Sequence, residues 1–440
     1  MTVAQVAPAD SARSVRSARS TRGALAALAL AVLLPSLGTS IANVSLPTLT
    51  RVFDASFQQV QWVVIAYLLA TTTVMVIVGH LGDRAGPQRL MLAGIALFTL
   101  ASGLGGFAPS LGWLIGARAL QGLGAATMTV LGLALVGDAV PEGETGRAMG
   151  MLGTMSAVGT ALGPTIGGLL IAAFDWRAIF FVVVPLGIVA FVLAQRCLAA
   201  DRPATGVNAT TARPLRPDQP GARALALSLV RNPSLRAGFA MSALVTTVVM
   251  TALVVGPFYL TGAFGLDPAR VGLAMSAGPI VSALTGMPAG RLVDRFGAQR
   301  LTVAGLAAMV VGCSVLPLVP MDVGLLGYIA PLVVVTSGYA LFQAANNSAV
   351  MSATDRATRG VTSGMLQLSR NLGLIAGASV MGQVFAFGSN ASGAPLGADS
   401  VAAGFKLTYG VAAALIGVAL GFASIRHSPV PHPVIPPSKR

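Results

Sequence analysis

Twelve windows of mostly apolar residues, each near the roughly 20 residues an α-helix needs to cross a bilayer, follow one another along the 440-residue chain. Six lie near residues 24–46, 58–79, 90–108, 112–137, 147–173 and 178–198. Six more lie near 236–260, 270–290, 301–319, 324–350, 361–387 and 403–425. Their periodicity is helical or continuous, with no series of short alternating segments, which argues against a lipid-facing β-barrel. A chain with 55% hydrophobic and only 10% charged residues has too little polar surface to coat a soluble globule of this length. The expected fold is an all-α membrane protein of twelve transmembrane helices in two six-helix bundles, residues 23–198 and 236–426. A Pro-, Arg-, Ala- and Thr-rich stretch, residues 199–235, reads as a cytoplasmic linker. Residues 1–22 and 427–440 read as a cytoplasmic arm and tail.

One charged hairpin appears twice. Residues 79–90 read GHLGDRAGPQRL and residues 290–301 read GRLVDRFGAQRL, with eight of twelve positions identical at an offset of 211. Gly79/Gly290, Asp83/Asp294, Arg84/Arg295 and Arg89/Arg300 pair across the offset, and Gly86 has its counterpart in Gly297. The two bundles are therefore pseudo-symmetric, a construction typical of secondary transporters. The hairpin glycines are expected to permit tight backbone packing where a side chain would hold the helices apart. Asp83 and Asp294 can accept hydrogen bonds from a neighbouring helix start. The basic residues can meet Asp138 and Asp355, which end the fourth and tenth windows. A lock of charges and helix ends, made in one conformation and broken in another, is the expectation; ordinary solvated loop charge is the plainer alternative.

The 28 Lys and Arg residues give a formal net charge of +14, but they are spread over membrane-proximal loops, a pattern that serves orientation rather than nucleic-acid binding. With the N-terminus inside, 22 fall on the cytoplasmic face and only Arg51, Arg177, Arg270 and Lys406 on the other. Both termini are expected in the cytoplasm, with an uncleaved first helix. Cys197 and Cys313 read as packing residues, and the three histidines lack metal-ligand spacing. No Gly-x-x-x-x-Gly-Lys-[Ser/Thr] sequence occurs, so no nucleotide, metal or other cofactor is expected, and no covalent chemistry is assigned.

The hairpin GHLGDRAGPQRL resembles the loop 2–3 signature of the major facilitator superfamily, and the likeness runs over nearly the whole chain. RALQGLGAA at Arg118–Ala126 is similar to that family's fourth-helix Arg-x-x-Gln-Gly signature. GTALGPTIGG at Gly159–Gly168 resembles the Gly-x-x-x-Gly-Pro pattern that marks its exporters. LGTSIANVSLPTL, QWVVIAYLLA and DWRAIFFVVVPLG look like helices one, two and six of the fourteen-helix drug:proton antiporters, although only twelve windows are present here. Physically, Gly159 and Gly163 let another helix approach and Pro164 removes a backbone hydrogen bond. Gly373 and Gly377 repeat the spacing without the proline. Two such seams suit a rocking interface between halves, and dense packing is compatible with them.

Only Arg118 and Arg370 lie well inside the windows, and each would cost at least about 2.5–3.5 kcal/mol facing lipid. Both are expected to face the central cavity, Arg118 with Gln121 and Tyr67 nearby. Arg370 would sit in a polar wall with Gln343, Asn346, Asn347, Gln367 and Asn371. Bonding to backbone carbonyls at helix kinks is the rival account of both arginines. No Asp or Glu lies inside a window, and Gly38 stands where the fourteen-helix relatives usually carry an acid that pairs with cationic substrates. The resemblance implies a monomeric inner-membrane exporter of small amphipathic compounds, coupled to protons and working by alternating access. The missing acid favours neutral or anionic substrates. Candidate proton-loading groups are His80, Asp83, Asp54 and Asp175, the histidine because it ordinarily titrates near neutral pH. An importer or facilitator of an organic acid or sugar, and a non-transporting membrane sensor, are the alternatives.

Overall fold

The computed structural model describes residues 9–140, 145–198, 232–354, 358–389 and 397–425, apart from the side chains of 9–22, 76, 79–80, 82–85, 137–139, 145–146, 359–360 and 425. Residues 199–231 of the linker, the tail, Asp355, the side chains of His80, Asp83, Arg84 and Asp138, and the surroundings of Gly79 fall outside that description; the last linker residues already belong to a helix. Among the described residues there are twelve long helical segments and no strand. In the first half these are α1 (Ala9–Val52), α2 (Phe57–Ala85), α3 (Pro87–Gly106), α4 (Leu111–Ala139), α5 (Thr145–Ala173) and α6, which runs as Ala178–Phe181 and Val183–Cys197. The second half has α7 (Pro233–Gly262), α8 (Pro268–Phe296), α9 (Ala298–Val315) and α10 (Leu325–Ser352). Its α11 runs from Arg359–Ala376 through a π-helical turn, Gly377–Met381, into Gly382–Gly388, and α12 is Ala398–Ile425. Eleven of the twelve carry a sufficiently long and apolar stretch to cross a bilayer; the twelfth, α2, is 29 residues long and ends in the charged hairpin. Helical backbone extends from Ala9 into α1, so part of the expected N-terminal arm continues the first helix.

Each pairing in the first half has a counterpart six helices later. α1 packs on α5 as α7 packs on α11; α2 and α3 pack on α4 as α8 and α9 pack on α10. α6 lies against α1 and α3, and α12 against α7 and α9. The hairpins are tighter than loops. Asp83 and Asp294 lie in the last turns of α2 and α8, and the reversal into the next helix takes only Gly86 (φ 89°) or Gly297 (φ 85°). A side chain at either glycine would be strained in that backbone region, which is why the repeat holds glycine there. Gly290 differs, and the expectation of tight backbone packing is corrected for it. It lies within α8, two turns before the reversal, and a Cβ there would meet nothing within 4 Å. The physical reason is that Ala289 and Val293 carry the buried face of α8 here, and Gly290 lies to its side, where no neighbouring backbone comes close enough to need a glycine.

The small-residue seams close each half rather than the space between halves. A Cβ on Gly159 would stand 2.6 Å from the Leu33 carbonyl, and one on Gly163 would run into Ser40, both on α1. Gly373 and Gly377 lie in the same way against Ala243 and Thr247 of α7. The expectation of a rocking interface at these glycines is therefore corrected: they let helix backbones touch inside one bundle. The contact between halves lies one step on, where Gly168 of α5 meets Gly272 of α8. A Cβ on either would stand 3.0 Å from the other's Cα and would strike the carbonyl of Pro268 or Pro164 respectively. In α11 the place of Pro164 is taken by the π-helical turn around Ala378.

Side-chain contacts between the halves gather at the end away from the hairpins. Phe57 of α2 meets Phe258 of α7 at 4.6 Å and Phe385 of α11 at 5.2 Å between ring centroids. Gln61 is buried against Gly382, where any Cβ would collide with its amide. Thr165 and Ser276 share a hydrogen bond beside the Gly168–Gly272 contact. Towards the hairpins α8 exposes a wider face: Leu284 and Met287 are 70% and 74% exposed, while Ala289 and Val293 keep a narrow buried face at 3% and 6%. The molecule is thus sealed at the Phe57 end.

Candidate functional site

Arg118 is anchored in the interior of the first half. It is 1% exposed, and its Nε donates to the Val63 carbonyl of α2 and its Nη1 to the Gly38 carbonyl of α1, each at 3.1 Å. Nη1 also donates to Gln121 Oε1, and Gln121 in turn donates to Ser102 of α3 at 2.7 Å. The guanidinium lies 4.2 Å from the Tyr67 ring centroid, and the Tyr67 hydroxyl donates to the Pro35 carbonyl at 3.1 Å. Pro35, Gly38 and Val63 belong to three different turns of α1 and α2, so one cation ties α1, α2 and α4 together. Arg118, Gln121 and Tyr67 therefore do not face the cavity as expected; the carbonyl-binding account describes them. Gly38 serves a different neighbour: a Cβ there would stand 3.1 Å from the Phe98 ring, so its lack of a side chain makes room for Phe98.

Arg370 stands differently. It is half-buried in the middle of α11, and its guanidinium donates to Asn347 Oδ1 of α10, while its own carbonyl accepts from Thr246 of α7 at 3.0 Å. One residue on, Asn371 accepts from Gln367 at 3.2 Å and reaches across to Met75 of α2, 3.9 Å from its sulfur. Asn371 thus touches the first half, while the bonds of Arg370 stay within the second. Gln343 is half-buried one helical turn before Asn347 on α10. Asn346 turns the other way: it is 1% exposed and donates to Gly238 and Ser242 of α7. Of the wall expected around Arg370, Asn347, Gln367 and Asn371 come together by hydrogen bonds, and Asn346 is a packing residue.

A sequence profile of the Major Facilitator Superfamily matches residues 28–378. The chain belongs to the major facilitator superfamily. Over 394 residues it is 29% identical to the riboflavin transporter RibZ of Clostridioides difficile (strain 630), covering 81% of this chain and 86% of that protein. It is also 29% identical over 398 residues to the multidrug efflux pump LfrA of Mycolicibacterium smegmatis (strain ATCC 700084 / mc(2)155), covering 81% of this chain and 79% of the pump. Among solved structures, an inward-facing, unoccupied bacterial homolog of the human lysosomal transporter Spinster superposes with a TM-score of 0.75 at 15% identity, over 92% of this chain and 97% of that one. A D-xylose-proton symporter gives 0.73 at 15% identity, over 91% and 96%. Those structures share the fold. This superfamily member is a multi-pass membrane transporter of small molecules and not an enzyme.

Within that superfamily fold the second hairpin shows no lock in this conformation. Asp294, Arg295 and Arg300 are exposed, and among the described residues none of them makes an ion pair; Arg295 instead lies 5.2 Å over the Phe296 ring. The expected helix-start hydrogen bond to Asp294 is likewise absent among them. Gly290, at the head of this hairpin, is half-buried and touches no helix of the first half in a way that its lack of a side chain would serve. The two outer acids also stand apart from the polar row. Asp54 is exposed in the α1–α2 turn with φ 46°, and Asp175 is paired with Arg177 at 2.9 Å. Trp62 is 49% exposed on the outside of α2, and Tyr259 and Phe258 are packed in ring clusters at the sealed end. Sequence reasoning passed over Phe57, Gln61, Gly272, Phe385 and Met75, which are the residues that join the halves. An apolar ring at a helix start carries no pattern that separates a seal from a core, and Gly272 is one of four glycines in an α8 already rich in Ala and Ser, so nothing local marks it out.

Proposed function

We propose that the chain exports small amphipathic drugs or metabolites, neutral or anionic rather than permanently cationic, by alternating access. The observation that carries this reading is the half-buried Arg370 with Asn347, beside the Gln367–Asn371 pair that touches α2, with no ion pair to Arg370 among the described residues. A cation in such a row attracts anions and hydrogen-bond acceptors and repels other cations. Relatives named as a multidrug efflux pump and a multidrug resistance protein support the direction of transport. In this reading the hairpin end is cytoplasmic, consistent with its arginines, so the sealed end is the outer gate. The chain works as a monomer in the cytoplasmic membrane and exchanges substrate for protons. The proton is taken up at the hairpin end by His80 or Asp83, because Asp54 sits on the outer rim and Asp175 is already paired there.

The test is uptake into inside-out vesicles carrying the purified chain. An imposed proton gradient should drive accumulation of an anionic or neutral dye, and tetraphenylphosphonium should not accumulate. Equal accumulation of the phosphonium ion would refute the substrate class. The relative named as a riboflavin transporter favours a second reading, movement of one specific metabolite. Under that reading counterflow would be confined to a single compound.

A further inference from the structure

Two adjoining cavities lie at the end of the second half away from the hairpins, between the last turns of α9 and the first half of α12. The larger, about 510 Å³, is lined by Ser314, Pro317, Leu318, Lys406, Gly410 and Ala413. The smaller, about 250 Å³, runs past Pro320 and Met321 to the stacked rings of Tyr259 and Phe405, whose centroids are 3.7 Å apart. Lys406 lines both. It stands eight residues after Ala398, about 12 Å along the helix axis, so its stem lies in hydrocarbon and its ammonium must reach either the interface or an anion.

No anion of the protein meets it. Among the described residues Lys406 has no ion pair; Asp322 and Asp399, the acids at the same end of the second half that are not already paired, do not reach it. Asp267 is held by Arg270 at 3.3 Å, and residues 390–396, which lead into α12, carry no ionisable side chain. The Ser314 hydroxyl makes no hydrogen bond among the described residues either. Leu318, in the lining of both cavities, is 77% exposed, giving the mouth an apolar rim that in a transmembrane bundle faces lipid. An opening in such a rim is reached from the bilayer, where the abundant anion is a phosphodiester.

We propose that this groove is a binding site for an anionic phospholipid of the leaflet at the sealed end. The Lys406 ammonium takes the headgroup phosphate, the Ser314 hydroxyl donates to the same group, and an acyl chain lies along Leu318 and Ala413. An occupant of the smaller cavity rests against the Tyr259–Phe405 stack. Gly410 gives the groove its floor: a Cβ there meets nothing within 4 Å, so the space beyond it is open.

The site depends on the membrane setting of the superfamily fold and not on export, so it is tested without transport. The full chain is reconstituted in vesicles of phosphatidylcholine and phosphatidylglycerol, and retained lipid is counted by native mass spectrometry after extraction. Wild type should keep phosphatidylglycerol in preference to phosphatidylcholine. Lys406→Gln should lower that preference about fivefold, the weight of one cation at a membrane surface, and Lys406→Arg should keep it. Gly410→Trp should reduce retention of both lipids with unchanged thermal unfolding, and it carries the test if Lys406→Gln does not fold. Retention unchanged in Lys406→Gln or in Gly410→Trp would overturn the proposal. So would displacement of the lipid by inorganic phosphate, which would make this a site for a soluble anion.

Discussion

The two halves use the same helix pairings and place their interior arginines in opposite ways. In the first half Arg118 is turned inward and spent on the carbonyls of Gly38 and Val63. In the second half Arg370 is bound to Asn347 and stays half-buried in a row that reaches Met75 across the divide. A charge inside a membrane helix can be bound to backbone carbonyls or to a side-chain amide, and its neighbours decide which. Arg118 finds backbone carbonyls of α1 and α2, whereas Arg370 finds the side-chain amide of Asn347. One half acts as the rigid wall and the other supplies the adjustable one.

The sharpest break of that contrast is Arg118→Ala. It leaves buried carbonyls and Gln121 without their charged donor and should cost about 3 kcal/mol of stability. In detergent this appears as a marked fall in the unfolding temperature and in folded yield, with ligand binding lost only alongside folding. A stable Arg118→Ala chain that loses ligand selectively would invert the roles given to the two arginines.

Next comes the contact between the halves. Gly168→Val drives a side chain into the carbonyl of Pro268 and should shift the equilibrium away from the sealed state by about 2 kcal/mol, roughly 30-fold. Gly163→Val, five residues earlier, strikes Ser40 inside the first half and should instead lower stability. Alkylation of a Gln61→Cys reporter separates the two: it should rise in the Gly168→Val background and stay low in any folded Gly163→Val chain.

A smaller effect is expected of Arg370→Ala. Affinity for anionic ligands should fall about tenfold, equivalent to about 1.4 kcal/mol, while unfolding moves by less than about 1 kcal/mol because the group is half-buried and its partner Asn347 can turn to water. Isothermal titration with wild type and variant decides it, and unchanged affinity would remove Arg370 from the binding row. The smallest is Asp294→Asn. The carboxylate is exposed and unpaired among the described residues, so stability should change by no more than about 0.5 kcal/mol. Transport should nevertheless slow several-fold if the hairpin charges lock in the alternative conformation; an unaltered rate would dispose of the lock.

Much of this was legible in the residues. Each apolar window found its helix, although α1 begins 15 residues before its window and α2 and α8 run six residues past theirs into the charged hairpins, and the repeated hairpin announced two equivalent bundles. The polar row around Arg370 could be read because Gln, Asn and Arg at helical spacing in lipid have few other uses. The orientation of Arg118 could not be read, since a carbonyl acceptor exists at every residue and leaves no mark in a sequence. The same holds for Gly159 and Gly163: their spacing says that a helix approaches closely, and it does not say which helix. Gly290 shows the converse, a repeated glycine with open space where a neighbour was expected. Lys406 was visible only as an outer-face charge until α9 and α12 came together around it.

By itself, the sequence determined the membrane setting, the helix count and the two-fold repeat, because hydrocarbon thickness and backbone hydrogen bonding leave an apolar chain few choices. Folding alone set which helices share a seam, which end carries the ring contacts between halves, and which arginine binds backbone carbonyls. Those answers depend on residues far apart in the chain, such as Gly168 with Gly272 or Phe57 with Phe385, brought within van der Waals reach. No local pattern encodes the far side of such a contact.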